Sequence, residues 1–104
     1  MDADLSIALT PLGFAVRISR ARWETIVSSK HPIMRGRESD VHRALRDPDV
    51  VRRSKTDPTV LLFYRQDHPG RWLCAVVKRI DGDGFLITTY PTDTIKIGVE
   101  LWSK

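Results

Sequence analysis

A chain of 104 residues, 41% of them hydrophobic, has the size of one small domain with one core, and we predict a single domain over residues 1–104. The single cysteine, Cys74, excludes an intramolecular disulfide framework and argues against a cysteine-rich zinc site; we interpret it as a small buried hydrophobe. No run approaches the roughly 18 apolar residues of a membrane helix, and the first residues are acidic where a secretory signal is basic. We therefore expect a cytoplasmic protein that does not enter a membrane.

Basic residues are concentrated in one part of the chain. The net charge is +4, yet residues 17–53 alone carry ten Lys or Arg against five Asp or Glu, a net charge of +5. Twelve of the seventeen basic residues are Arg, whose planar guanidinium suits phosphate groups and base edges. This distribution fits a polyanionic partner and, equally well, a solvated basic surface without a partner.

The first segment, residues 1–12, is predicted to be a short leader, because it is only mildly apolar and ends in a turn signal of Pro and Gly. Residues 13–47 follow as one strand and two helices. Phe14, Val16 and Ile18 alternate with smaller or polar residues, which predicts a first strand at an edge of the sheet.

A first helix is predicted from about Arg20 to Ser29. Ser19 is a suitable N-cap, and Trp23 recurs with two apolar residues at spacings of three and four, so the helix should bury this Trp. The helix should end at His31, because the proline that follows pushes the preceding residue away from helical geometry.

A second helix is predicted between Ser39, as its N-cap, and Asp47. Its apolar face would consist of Val41, Ala44 and Leu45. Both helices are too short to be stable alone, so we expect them to pack together on one face of a sheet.

Residues 48–102 are predicted to form that sheet. Its centre is residues 59–90, where three apolar runs rich in β-branched and aromatic residues are separated by two turn signals, as in sequential antiparallel strands. Residues 50–54 would add a hairpin before them, and the alternating residues 95–101 a last strand or an extended arm. The predicted fold class is α+β, with two short N-terminal helices on an antiparallel meander of four to six strands.

Several motifs that are separated in the sequence form a recognisable set. They are Arg22-Trp23-Glu24, Lys30-His31-Pro32, Asp47-Pro48-Asp49, Arg53-Ser54, Phe63-Tyr64-Arg65, Val76-Val77-Lys78 and Ile87-Thr88-Thr89-Tyr90. As a set they resemble the barnase, EndoU, colicin and RelE-like (BECR-fold) ribonuclease superfamily, and above all its phage-associated and small toxin-like branches. The resemblance covers residues 14–102.

The resemblance implies a metal-independent, cofactor-free endoribonuclease of a toxin-like kind, which cleaves RNA by attack of a ribose 2′-OH on the adjacent phosphate. It implies RNA as one partner and an acidic antitoxin or immunity protein as another. The reaction requires a base for the 2′-OH proton, an acid for the leaving 5′ oxygen, and cations or hydrogen-bond donors for the charged phosphorane.

Three residues are candidates for catalysis. His31 is the best proton-transfer group, since an ordinary His has a pKa of about 6.5; alternatively it only caps helix carbonyls. Lys78 would stabilise charge on the phosphate or extend to solvent. With a four-residue turn after the second central strand, Lys78 would face Ile87 and share a sheet face with Thr89, whose hydroxyl could donate to the phosphate or merely belong to a strand.

Six further residues are candidates for RNA binding by base stacking or by backbone contacts: Arg43, Arg53, Ser54, Tyr64, Arg65 and Tyr90. Core packing of the tyrosines and solvation of the arginines are the alternatives. No second His or strand-borne Glu completes an acid and base pair, and no clustered side chains predict a metal site. A non-catalytic RNA- or ribosome-binding domain and a phage-related protein-interaction module therefore stay open.

Overall fold

The computed structural model describes residues 4–104. The strands are β1 (Asp4–Leu9), β2 (Ala15–Ser19), β3 (Val50–Arg53), β4 (Val60–His68), β5 (Arg71–Ile80), β6 (Asp83–Thr92) and β7 (Val99–Ser103). The helices are α1 (Arg20–Thr25), which widens into a π-helical turn over Ile26–Lys30, a 3₁₀ turn over Pro32–Met34, and α2 (Glu38–Arg46). None of the helices in the described part of the chain has the length and apolar character that a membrane span requires.

All seven strands belong to one sheet, in the order β1-β2-β6-β5-β4-β3-β7. The α+β class and the antiparallel meander β4-β5-β6 are confirmed, but the sheet is larger than the predicted four to six strands and is mixed. Its parallel pair is β2 with β6, through Val16 and Gly84 and through Arg17 and Phe85. Parallel pairing needs a long crossover, which the helices and β3 to β5 supply between these two strands.

Residues 4–9 form the edge strand β1, so the predicted leader is wrong for this part; residues 1–3 lie outside the described residues. The strand pairs with β2 in a hairpin whose turn includes Gly13 at a φ of +89°. Ala8 of this strand is buried in the core. Because β1 takes the edge, β2 lies inside the sheet and not at the predicted edge. The Pro and Gly that follow residue 9, which were interpreted as the end of a leader, form the turn of this hairpin.

The first helix begins and ends as predicted. The hydroxyl of Ser19 accepts a hydrogen bond from the backbone N–H of Arg22 at 3.0 Å, which confirms the N-cap. Trp23 is buried. His31 closes the helical segment with a φ of −138°, directly before Pro32.

The second helix differs from the prediction at its start. It begins at Glu38, and Arg37 occupies the N-cap position without a side-chain cap, so Ser39 is not the N-cap. Arg37 itself is held by ion pairs to Asp40 and Asp67, each at 3.0 Å. The predicted apolar face is confirmed, and its members are buried: Val41, Ala44 and Leu45.

The two faces of the sheet are covered differently. Residues of both helical segments, such as Trp23 and Leu45, share the main core with strand residues such as Phe63. The next residue along β4, Tyr64, belongs to a second and smaller cluster, because successive strand residues point to opposite faces. Both helices thus lie on one side, as predicted. We call the other side the open face.

Residues 93–98, which we call the strap, cross the open face from β6 to β7. β7 lies four strand positions from β6, about 19 Å away, and seven Cα steps span at most about 24 Å, so the strap is nearly fully extended. The backbone N–H of Lys96 donates to the Tyr64 hydroxyl at 3.1 Å, and Arg52 Nη1 donates to the Lys96 carbonyl at 3.3 Å. The predicted last segment is therefore an arm followed by a strand.

Candidate nucleic-acid interface

The centre of the open face is a row of three side chains on neighbouring strands, Tyr64, Cys74 and Tyr90, which lie directly opposite one another. Burial raises the pKa of Cys74 to about 11 and that of Tyr64 to about 12, and it raises the pKa of Tyr90 as well. All three groups therefore keep their protons at neutral pH. None of them can serve as a general base there.

The two tyrosines of this row differ in exposure. Tyr64 is completely buried beneath the strap, and its hydroxyl is occupied by the N–H of Lys96. It cannot stack on a base, so the alternative of core packing holds for Tyr64. Tyr90 is only partly buried and remains accessible at the margin of the face.

His31 lies beside Tyr90. The two ring centroids are 5.4 Å apart and the ring planes are tilted by 38°. The position is fixed by the end of the first helical segment, where the backbone N–H of His31 donates to the carbonyl of Ile26 at 2.7 Å. The structure thus brings together two of the predicted site residues, and both are partly exposed.

Lys78 also faces the open side, but at a distance from His31. Its Nζ lies 3.4 Å from Asp57 Oδ2, and its side chain is 41% exposed. Such exposed ion pairs are weak, so the ammonium is available to a bound anion. Lys78 is four residues along β5 from Cys74, the residue opposite Tyr90, which corresponds to about 13 Å. His31 and Lys78 therefore do not converge on one phosphate.

A shorter turn and an extra residue in β6 alter the predicted register. Lys78 faces Phe85 instead of Ile87, because the turn between β5 and β6 has two residues, Asp81 and Gly82, and not the predicted four. Beyond Val77 a bulge in β6 shifts the pairing by one further residue. Thr89 lies opposite Ala75, which belongs to the core under the helices. The prediction that Lys78 and Thr89 share a face is therefore wrong. Thr89 is completely buried and donates its hydroxyl to a β5 carbonyl at 2.7 Å, so it cannot reach a phosphate.

The same bulge places Thr88 on the open face, opposite Val76. Its hydroxyl is shielded from solvent and has no hydrogen-bond partner among residues 4–104. Thr88, and not the predicted Thr89, is therefore the threonine on the open face.

The predicted phosphate-binding arginines lie on the helix-covered side. Arg65 is opposite Leu73 and Arg53 is opposite Leu61, and both leucines belong to the core under the helices. Arg43 lies on α2. The structure therefore does not bring these arginines together with Tyr90 and Lys78.

Arg65 and Ser54 are further engaged in local contacts. Arg65 Nη1 donates to Asp47 Oδ2 at 2.9 Å and to the Asp47 carbonyl at 2.6 Å, and with Lys104 it keeps the pKa of that carboxyl below its usual value. The Ser54 hydroxyl lies 3.2 Å from that of Thr56, in the turn between β3 and β4. Both residues have structural roles in this state.

The open face carries three residues that sequence reasoning missed. Arg52 is opposite Leu62 of the second cluster, so it, and not Arg53, faces this side. The ammonium of Lys96 is close enough to Cys74 to oppose the rise in its pKa. Phe85 is exposed next to Lys78. The register of strand pairing decides which of two adjacent strand residues faces this side, and local sequence patterns do not determine that register.

Within residues 4–104, no three His, Cys, Asp or Glu side chains come together as the ligands of a metal ion would. No family model, curated protein or solved structure matches the chain. The resemblance to the BECR-fold ribonucleases therefore stays a prediction from the motifs.

Proposed function

We propose that the protein is a metal-independent endoribonuclease of the BECR type that binds single-stranded RNA on its open face. The observation that carries the proposal is the combination, on that one face, of the partly exposed Tyr90, whose ring His31 contacts, with the cations of Lys78 and Lys96. Aromatic side chains with cations around them are typical of surfaces that bind single-stranded nucleic acid.

In the proposed reaction His31 takes the proton of the ribose 2′-OH as this oxygen attacks the adjacent phosphate. The products are a 2′,3′-cyclic phosphate and a free 5′-OH. Tyr90 orients the imidazole through the ring contact at 5.4 Å. The leaving 5′ oxygen takes its proton from water, and the imidazolium of His31 returns its proton to the hydroxide that this leaves. Lys78 holds the phosphate backbone further along the strand.

RNA binding without cleavage is the second candidate function. His31 contacts Tyr90, which is opposite Cys74 on β5, and Lys78 lies about 13 Å further along that strand. This separation favours binding alone, because catalysis needs its groups at one phosphodiester. A phosphate clamp and a stacking surface tolerate such a spacing, since successive nucleotides can use them in turn.

The test is incubation of the purified protein with RNA in the presence of EDTA, followed by analysis of the new ends. We expect 2′,3′-cyclic phosphate ends, and a His31→Ala variant should lose about 10²- to 10⁴-fold in rate. His68→Ala is the matched control, because His68 is exposed at the end of β4. RNA binding without new ends would leave the second candidate. Cleavage that EDTA abolishes would contradict the metal-independent mechanism.

The proposal extends to partners and location. An RNA substrate is consistent with a cytoplasmic protein, and a toxin-like ribonuclease requires an acidic antitoxin or immunity protein. Such a partner would pair its carboxylates with the cations of the open face and block access to His31. Growth arrest on expression that is relieved by His31→Ala would support the toxin-like role.

A further inference from the structure

Phe85 presents an aromatic ring on the open face in a setting that the catalytic proposal does not use. The side chain is 43% exposed, although it lies on a strand inside the sheet. Its neighbours across the adjacent strands are Arg17 on β2 and Lys78 on β5. Because residues directly opposite one another share a sheet face, the ring is flanked by a cation on each side.

The ring also forms part of the wall of a cavity. The cavity has a volume of about 310 Å³ and is lined by Asp4, Arg17, Ser19, Arg22, Phe85 and Leu86. This volume falls at the lower end of the range of small-ligand sites, about 300–1,000 Å³. A flat ligand the size of a nucleobase fits such a space, with the ring of Phe85 against one of its faces.

The flanking cations are held only loosely. Arg17 Nη1 lies 2.9 Å from Asp4 Oδ2, and the side chains of both residues are partly exposed to solvent. The pair of Lys78 with Asp57 is longer, at 3.4 Å, and is exposed as well. Exposed pairs of this kind contribute about 0–1 kcal/mol, so a phosphate can replace the carboxylate at little cost.

We propose that this cavity is a nucleobase subsite for single-stranded RNA, in which Phe85 stacks on one base while Arg17, Arg22 and Lys78 contact the phosphates on either side. This inference rests on the proposed RNA function and adds a place on the open face where a base is bound. An exposed apolar ring can also contact a protein partner. The cations on both sides of this ring and the cavity beside it favour a base and its phosphates instead.

The experiment measures the binding of a short fluorescein-labelled single-stranded RNA by anisotropy, over a series of salt concentrations. Phe85→Ala should weaken binding by about 5- to 150-fold, the range expected for the loss of one stacked base. Phe85→Trp should bind like the unaltered protein, whereas Phe85→Leu should not, because stacking needs a ring. Ile80→Ala is the matched control, since Ile80 is 49% exposed and two residues further along β5 from Lys78.

The salt dependence separates stacking from charge. Phe85→Ala should leave the slope of log affinity against log salt unchanged, while Arg22→Gln should lower its magnitude by about 0.7 for one lost phosphate contact. If the unaltered protein binds RNA and Phe85→Ala binds it equally well, the subsite is wrong and the proposed function stands. Full affinity in Phe85→Leu would also overturn stacking, and would point to a general apolar contact. Failure of the unaltered protein to bind RNA would overturn both proposals.

Discussion

At the scale of single residues, Cys74 links the packing of the open face to pH. Burial raises the pKa of its thiol from an ordinary value near 9 to about 11, so the folded protein holds this proton more tightly than the unfolded chain does. The contribution of this proton to the free energy of unfolding is fully present below about pH 9 and is lost as the pH rises from about 9 to about 11.

The first prediction is that Cys74→Ala reduces this loss of stability at high pH. Between about pH 8 and pH 11, the free energy of unfolding should fall on the order of 2 kcal/mol further in the unaltered protein than in the variant. Urea unfolding at a series of pH values measures it. The comparison uses only the pH dependence of the free energy of unfolding of each protein, so the constant loss of stability from the cavity left by the substitution does not affect it. Parallel curves would show that the thiol does not titrate differently on folding.

The residue scale also shows where the sequence is informative. Trp23, Ser19 and Cys74 could be placed correctly because periodicity, capping chemistry and an apolar strand context each act over a few residues. Thr89 could not, because one bulge residue in β6 exchanges the faces of all residues beyond it. Arg53 lies on the helix-covered side for a similar reason, since the alternation of β3 directs Arg52 to the open face instead.

At the scale of elements, the two predicted helix caps provide a direct comparison. Ser19 caps α1 through a hydrogen bond of 3.0 Å, whereas Ser39 lies inside α2 and is exposed. The second prediction is that Ser19→Ala lowers the free energy of unfolding by about 1 kcal/mol. Ser39→Ala should change it by less than about 0.5 kcal/mol. Thermal or urea unfolding of the two variants measures both, and a larger loss in Ser39→Ala would contradict the observed start of α2.

The strap gives the third prediction. Gly98 passes so close to the Arg53 carbonyl that an added Cβ would collide with it, and the nearly extended strap has little slack to move away. Gly98→Ala should therefore destabilise the fold by about 1–3 kcal/mol. Ile97→Ala, on the same segment but 77% exposed, should stay within about 0.5 kcal/mol. Equal stability of both variants in urea unfolding would mean that the strap is not under this constraint.

The strap and β1 were the elements least accessible to sequence reasoning. The central meander was predictable because its strands pair with sequence neighbours across short turns. The strap crosses three strands, and β2 pairs with a strand more than sixty residues later, so local patterns contain no information on either arrangement. β1 was missed because three apolar residues in alternation, Leu5, Ile7 and Leu9, are too few to separate a strand from a mildly apolar leader.

At the scale of the whole molecule, the basic residues are divided between two sides of one sheet. The sequence concentrates positive charge in residues 17–53, which suggested one basic surface. The fold distributes it otherwise: Arg43 and Arg53 lie on the helix-covered side, whereas Arg17 and Arg52 lie on the open face. A cluster of charge along the chain thus became two surfaces, because strands alternate their side chains between faces and helices cover only one of them.

This division gives the last prediction, which decides which side meets RNA. Lys78 and Arg53 lie at the same end of the sheet, since Val60 opposite Lys78 and Leu61 opposite Arg53 are adjacent, but they face opposite sides. If RNA binds on the open face, Lys78→Gln should weaken binding and lower the magnitude of the salt slope by about 0.7, as expected for one phosphate contact with a single strand. Arg53→Gln should leave the slope unchanged, although both variants lose one positive charge and so alter the net charge equally. Anisotropy titrations of labelled RNA over a range of salt concentrations make the comparison. The reverse pattern, with a reduced slope in Arg53→Gln alone, would place the RNA on the helix-covered side.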